Sequence, residues 1–295
     1  MEIIEKCSLC ARKCGVRRLE TEESDGFCKM PSLPKIARCD LHFYEEPNIS
    51  GENGSGAVFF SGCVMKCEYC QNYEISRTCT GRTADSKALA EMMKNLVLKG
   101  AHNINFVSPA PYVPLIKEAL TLYRPPVPVI FNCSGYESTE SIKSLEGFVD
   151  VYLPDFKYAF DDLAVKYSLA PHYTENAISV IAEMYRQVGN AQNGEDGLIK
   201  KGVMIRHLVL PENVENSKKV LWLIKENFSE NAFLSLMAQY TPNPIIIHKE
   251  LSRTLTEEEY EEVCDYMLSL GFQNGFVQEL ESADKIYTPS WDLTD

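Results

Sequence analysis

Ala57-Val58-Phe59-Phe60-Ser61-Gly62-Cys63-Val64-Met65-Lys66-Cys67-Glu68-Tyr69-Cys70-Gln71-Asn72 runs from an apolar tetrapeptide straight into three cysteines spaced C-x3-C-x2-C. Four consecutive apolar residues read as a buried strand, which places the cysteines in the loop at its C-terminal end. A [4Fe-4S] cluster is normally held by four thiolates. Three closely spaced thiolates can hold three irons and leave the fourth with an open position for a small chelating ligand, much as a catalytic zinc keeps one position for water. The alternatives are a zinc knuckle, or a ferredoxin-type cluster completed by a remote cysteine, Cys79 or Cys133. A zinc site more often shows paired C-x2-C motifs.

Outward from this loop the pattern is regular. Residues 85–99 predict a helix, with Asp85 as N-cap, Leu89, Met92, Leu96 and Val97 along one side and Gly100 at its end. Strands follow at 104–107, 129–131, 149–153, 203–209 and 233–237, separated by helical patterns near 112–123, 138–146, 160–168, 174–188 and 214–227. Residues 190–200 read as an exposed loop. A last helix over 256–269 opens with Thr256 and Glu259 in capping-box spacing. Six strands alternating with helices predict an α/β protein with a parallel sheet or barrel, whose site lies at the C-terminal ends of the strands.

The 295-residue chain is long enough for one large domain with a small appendage; 45% of it is hydrophobic and 24% charged, as in ordinary soluble globular proteins. Its formal net charge of −13 argues against a nucleic-acid partner bound through phosphates. The N-terminal residues lack the apolar run of a secretory signal, and no segment reaches the roughly 18–20 apolar residues that span a bilayer, so no membrane and a cytoplasmic location are expected. Eleven cysteines in a reducing compartment point to metal ligation or catalysis rather than disulfides. The expected division is a cysteine-rich N-terminal segment, residues 1–45, and a barrel domain, residues 46–295.

The C-x3-C-x-aromatic-C signature after a first strand, with Tyr69 in the aromatic position, resembles the radical S-adenosylmethionine superfamily. Gly62 to Asn72 is most similar to the cluster loop of pyruvate formate-lyase activating enzymes and their uncharacterised relatives, and the resemblance extends over roughly residues 55–285. It implies a partial (β/α)6 TIM-like barrel, a [4Fe-4S] cluster on Cys63, Cys67 and Cys70, and S-adenosylmethionine chelating the open iron through its amino and carboxylate groups.

The same resemblance nominates further residues. Where relatives carry a Gly-Gly-Glu motif after the second strand, this chain has Val107-Ser108-Pro109-Ala110-Pro111, leaving backbone carbonyls and the Ser108 hydroxyl to accept from an ammonium group. Asn132-Cys133-Ser134-Gly135 resembles the activases' Asp-Thr-Asn-Gly, with Asn132 in place of the aspartate that helps bind a monovalent cation. Leu153-Pro154-Asp155-Phe156-Lys157 resembles their Asp-x-Lys element; alternate residues of an extended segment share one side, so Asp155 and Lys157 can face the sulfonium and the methionyl carboxylate. Arg206 is a candidate substrate or cofactor contact, whereas His207 reads as a satisfied strand histidine. Met237-Ala238-Gln239-Tyr240, with Gln239 facing the pocket, closes it around the adenosine.

Cys7-x2-Cys10-x3-Cys14, with Cys28, forms a second group with metal-ligand character, suited to zinc or to a second iron-sulfur cluster. The resemblance implies a one-electron donor of the flavodoxin or ferredoxin type. It also implies reductive cleavage of S-adenosylmethionine to a 5′-deoxyadenosyl radical that abstracts a hydrogen atom, with activase kinship pointing to a glycine Cα–H in a protein partner. Radical modification of a peptide or small metabolite is the alternative enzyme reading; a non-catalytic iron-sulfur electron carrier is the alternative outside that class.

Overall fold

Six short apolar runs make the parallel staves of a partial barrel in the computed structural model, which describes residues 3–280 and Trp291. In chain order the strands are β1 (Lys35–His42), β2 (Ser55–Phe60), β3 (Arg82–Thr83), β4 (Ile104–Val107), β5 (Val129–Cys133), β6 (Val151–Pro154), β7 (Gln192–Asn193), β8 (Ile199–Leu208), β9 (Phe233–Met237) and β10 (Gly275–Val277). The helices are α1 (Pro47–Ser50), α2 (Tyr73–Ser76), α3 (Ser86–Leu98), α4 (Val113–Leu122), α5 (Thr139–Ser144), α6 (Asp161–Ser168), α7 (Tyr173–Val188), α8 (Val214–Phe228) and α9 (Glu257–Ser269). The six staves pair in parallel in the order β2-β4-β5-β6-β8-β9, and the short β10 adds parallel to β9 as a seventh strand. β1 adds antiparallel to β2 and carries β3 on its far edge. The (β/α)6 barrel is therefore present. Residues 281–285 of the resemblance, and the end of the expected 46–295 domain apart from Trp291, lie outside the described residues.

The staves are buried on both faces, which is why they read as mainly apolar runs, broken by inward polar residues such as Asn105 and Ser235. Outward residues such as Val58, Phe106, Phe131, Tyr152, Ile205 and Leu236 pack beneath the helices. Inward residues fall into levels. At the base, Ile49 of α1 is fully buried against Ile130, Val151, Leu153 and Met204 and forms an apolar floor. Above it lie Asn105 and Ser235, both fully buried, and above them the strand ends that bear the site.

Local signals set the helix boundaries. Asp85 accepts from Ala88 N at 2.8 Å and opens α3, whose buried side is carried by Leu89, Met93 and Leu96, with Met92 and Val97 only partly covered. The Thr256–Glu259 capping box opens α9. Two expectations need correction. The 190–200 stretch is not simply a loop: β7 folds back antiparallel on the start of β8, which begins at Ile199 rather than at 203. The exposed Lys200 and Lys201 hide that start from a pattern based on burial. β1, between β2 and the two-residue β3, and β10, at the opposite edge, have no counterpart in the apolar pattern. Among the described residues, no helix is long and apolar enough to cross a membrane.

Candidate active site

The cysteine loop leaves β2 through Gly62, whose φ is +80°. A Cβ there would sit 2.3 Å from Met30 Cγ, so both the backbone twist and the contact require glycine. Buried loop amides and carbonyls need partners, and the end of α6 supplies many of them. Lys66 N donates to Ser168 O (3.1 Å) and Glu68 N to Tyr167 O (2.9 Å). Arg77 donates to the carbonyls of Lys66 and Cys67, Asn243 to that of Cys70 (3.1 Å), and Arg12 to that of Val64 (2.7 Å). The sulfurs receive donors as well: Met65 N to Cys63 Sγ at 3.4 Å and Ser168 Oγ to Cys67 Sγ at 2.9 Å. Tyr158 Oη lies 2.6 Å from that serine oxygen and 2.7 Å from Tyr69 Oη. Burial, followed by the neighbouring Cys67 thiolate, pushes the Cys63 thiol up to about 12. Ionisation of Cys63 and Cys67 would therefore have to be driven by a metal that they ligate.

Every residue nominated from the sequence for the principal site lines one cavity of about 220 Å³. Cys63, Cys67, Cys70 and Tyr69 form one wall, and Ser108, Asn132, Asp155, Lys157, Arg206 and Gln239 come from the successive strand ends. Lys157 Nζ meets Asp155 Oδ2 at 2.5 Å. Burial alone would favour neutral lysine, but Asp155 outweighs it and holds Lys157 above its ordinary range. Asp155 is likewise opposed by burial and held ionised by Lys157 and Arg206. Arg206 also binds Glu45 (3.0 Å) and the Asn132 carbonyl oxygen. Glu45 accepts in addition from Asn105 (3.0 Å) and Asn132 (3.3 Å). Asn132 is thus a member of a charge network. Ser108 has φ +59°, an uncommon conformation for a non-glycine residue of the kind that collects at functional sites.

Several lining residues carried no signal in the sequence. Glu45 precedes α1 and enters the barrel from below; nothing in its neighbours marks it as internal. Glu137 sits in a stretch that reads as a turn, yet it is 1% exposed. Its Oε1 accepts from Ser134 N and Oγ (3.3 and 3.2 Å), while Oε2 is buried without a partner, and burial raises its carboxyl. Cys133 lines the same cavity beside Glu137, whereas Cys79 does not. His207 is fully buried and bonded at both ring nitrogens, to Phe156 O (2.7 Å) and Ser217 Oγ (2.9 Å), as a satisfied strand histidine should be. Cys7, Cys10, Cys14 and Cys28 gather apart from this cavity, around a second, smaller one. Among the described residues, no three His, Cys, Asp or Glu side chains stand at single-ion coordinating distance of one point.

Residues 49–144, which contain the cysteine loop, match a family model described as a 4Fe-4S single cluster domain. Over 273 residues the chain is 30% identical to the uncharacterized protein MJ0674 of Methanocaldococcus jannaschii, covering 89% of this chain and 74% of that protein. The fold is shared with SuiB of Streptococcus suis, solved bound to S-adenosylmethionine (TM-score 0.51, 12% identity, 75% of this chain and 50% of that one). It is shared as well with HydG, a maturase of the [FeFe]-hydrogenase (TM-score 0.51, 12% identity, 82% and 56%). The chain spans only about half the length of these solved structures. With the triple-cysteine loop at the head of the first barrel stave, the chain belongs to one family with the Methanocaldococcus jannaschii protein.

Proposed function

We propose that the chain reductively cleaves S-adenosylmethionine on a [4Fe-4S] cluster held by Cys63, Cys67 and Cys70. The observation that carries this reading is the composition of the one cavity these thiols face. Its other walls present a buried Lys157–Asp155–Arg206 group, and the one further thiol on them, Cys133, lies beside the carboxylate of Glu137.

The residues fit the cofactor. Glu137 Oε2, orphaned and buried, is an acceptor suited to an ammonium group, a role for which Ser108 is the alternative. The Lys157 ammonium has donors beyond the one given to Asp155 and suits a carboxylate. Val107, Leu208 and Met237 supply apolar wall that excludes water. When bound, S-adenosylmethionine supplies a sulfonium whose one-electron cleavage yields a 5′-deoxyadenosyl radical for hydrogen-atom abstraction. The chain's own contribution is to hold three irons, to donate hydrogen bonds to two of their sulfurs, and to fix Lys157 and Arg206 through Asp155 and Glu45. The resemblance to activating enzymes supports a glycyl-radical protein as substrate and a flavodoxin- or ferredoxin-like reductant.

The test is anaerobic reconstitution with iron and sulfide, addition of dithionite and S-adenosylmethionine, and quantification of 5′-deoxyadenosine. The expected result is production in the wild type and none in Cys67→Ala. A fully loaded, reducible cluster that yields none refutes the proposal and favours an electron carrier. Co-purification with a glycyl-radical protein supports the activase reading over modification of a peptide or metabolite.

A further inference from the structure

The cysteine-rich leader makes a tight knuckle. Cys7 N donates to Val16 O, Gly15 N to Cys7 O and Lys13 N to Cys10 O, at 2.9, 2.9 and 3.0 Å. The knuckle docks on the loop after β5, through Ala11 N to Tyr136 O (3.0 Å) and Ser138 N to Leu9 O (3.1 Å). Cys7, Cys10 and Cys14 are thereby brought to one cavity, and Cys28 reaches it from the following loop. Val64 and Pro111 line both this cavity and the principal one, so a single layer of residues separates the two.

The charges around it are unbalanced. Arg18 is completely buried, yet among the described residues it has no carboxylate partner. It donates to the carbonyls of Met30 (3.0 Å), Pro111 (2.7 Å) and Pro31 and to Cys7 Sγ at 3.8 Å, and its guanidinium lies 5.6 Å from the centre of the Tyr112 ring. Arg12 also lines the cavity without a carboxylate, its guanidinium 3.3 Å from the centre of the Phe27 ring. A buried cation without a counter-charge is strongly unfavourable. Four thiolates around one divalent ion leave two negative charges, which the two guanidiniums match.

From this convergence of four cysteines and two unpaired arginines, we infer that Cys7, Cys10, Cys14 and Cys28 hold a single thiophilic divalent ion of the zinc class, with Arg12 and Arg18 as its counter-charges. Size selects the ion. The cavity measures about 10 Å³, roughly the space of one water, whereas a [4Fe-4S] core adds four irons and four sulfides. Binding requires the thiols to turn inward onto the ion, since they do not yet stand at coordinating distance. A closed tetrathiolate site is structural. Here it would brace Arg12, which donates to Val64 O in the cluster loop.

The experiment is elemental analysis and zinc-edge X-ray absorption on the anaerobically purified full chain, compared with Cys14→Ser and Cys67→Ala. Cys14 is exposed, so its replacement leaves the barrel core untouched. The expected result is about one zinc per chain with Zn–S distances of about 2.3 Å to four sulfurs. That zinc should be lost to a chelator in Cys14→Ser and kept in Cys67→Ala, with iron following the opposite pattern. Far-UV circular dichroism of Cys14→Ser matching the wild type would show that the barrel is intact. Zinc indifferent to Cys14→Ser, iron and sulfide in its place, or no metal at all would each overturn the inference. None of these outcomes depends on 5′-deoxyadenosine production, so this site and the proposed reaction fail or stand separately.

Discussion

Replacing Ser168 by alanine removes the hydroxyl that donates to Cys67 Sγ at 2.9 Å in a fully buried position. Hydrogen bonds to the ligand sulfurs are one of the determinants of cluster potential. The reduced cluster carries one more negative charge than the oxidised one, so the donor stabilises the reduced state more. A hydrogen bond to a charged acceptor contributes roughly 1.5–3 kcal/mol, but the sulfur is charged in both states and only the difference matters. Taking about a third of that value, roughly 0.5–1 kcal/mol, and about 59 mV per tenfold for one electron, the midpoint should fall by roughly 20–45 mV. The assay is a redox titration of the reconstituted protein followed by electron paramagnetic resonance, without S-adenosylmethionine. Tyr158→Phe, which removes the neighbouring hydroxyl but spares the donor to Cys67, should shift the midpoint less. An unchanged or raised midpoint in Ser168→Ala, with iron content intact, would refute the reasoning.

Arg206→Met should destabilise the protein by about 3–5 kcal/mol in urea unfolding, because Glu45 is left buried without its cation while Asp155 keeps only Lys157; adding Glu45→Gln should restore part of that loss. Gly62→Ala meets Met30 and a φ of +80° together, and should cost roughly 2–4 kcal/mol by the same measurement. Burial lowers His207 from 6.5 to about 4. A folded-state value below the unfolded one means the stabilising contribution is complete above pH 6.5 and is lost as pH falls from there toward 4. That contribution is about 3 kcal/mol in all, and His207→Gln should flatten this part of the stability–pH curve. Cys133→Ala should leave iron content unchanged, as measured after reconstitution; loss of iron would make Cys133 a cluster ligand.

The parallel staves were legible because strands covered on both faces are mostly apolar, as in Ala57–Phe60 and, but for Asn105, Ile104–Val107. Asp155, Lys157 and Arg206 were legible because each leaves the C-terminal end of such a run. What escaped has physical causes. β1 is covered on its far side only by the two-residue β3, and its residues are mostly half-buried and mixed in character, while β10 has only three residues, so neither imposes a pattern. Glu45 and Glu137 are acidic residues in loops, where acidity normally signals solvent; only the tertiary packing makes them internal. Asn132, read as standing in place of a cation-binding aspartate, has as its partners Glu45 and Arg206, 87 and 74 residues distant in the chain.

The floor made by Ile49 against Ile130, Val151, Leu153 and Met204 turns the barrel into a blind shaft rather than a tunnel. Whatever enters must leave by the door it came in. A bulky partner resting on that doorway would trap the spent fragments behind it, so turnover requires the partner to step away first. Such traffic favours ordered release, and leftover fragments would act as inhibitors that a tightly docked partner makes worse.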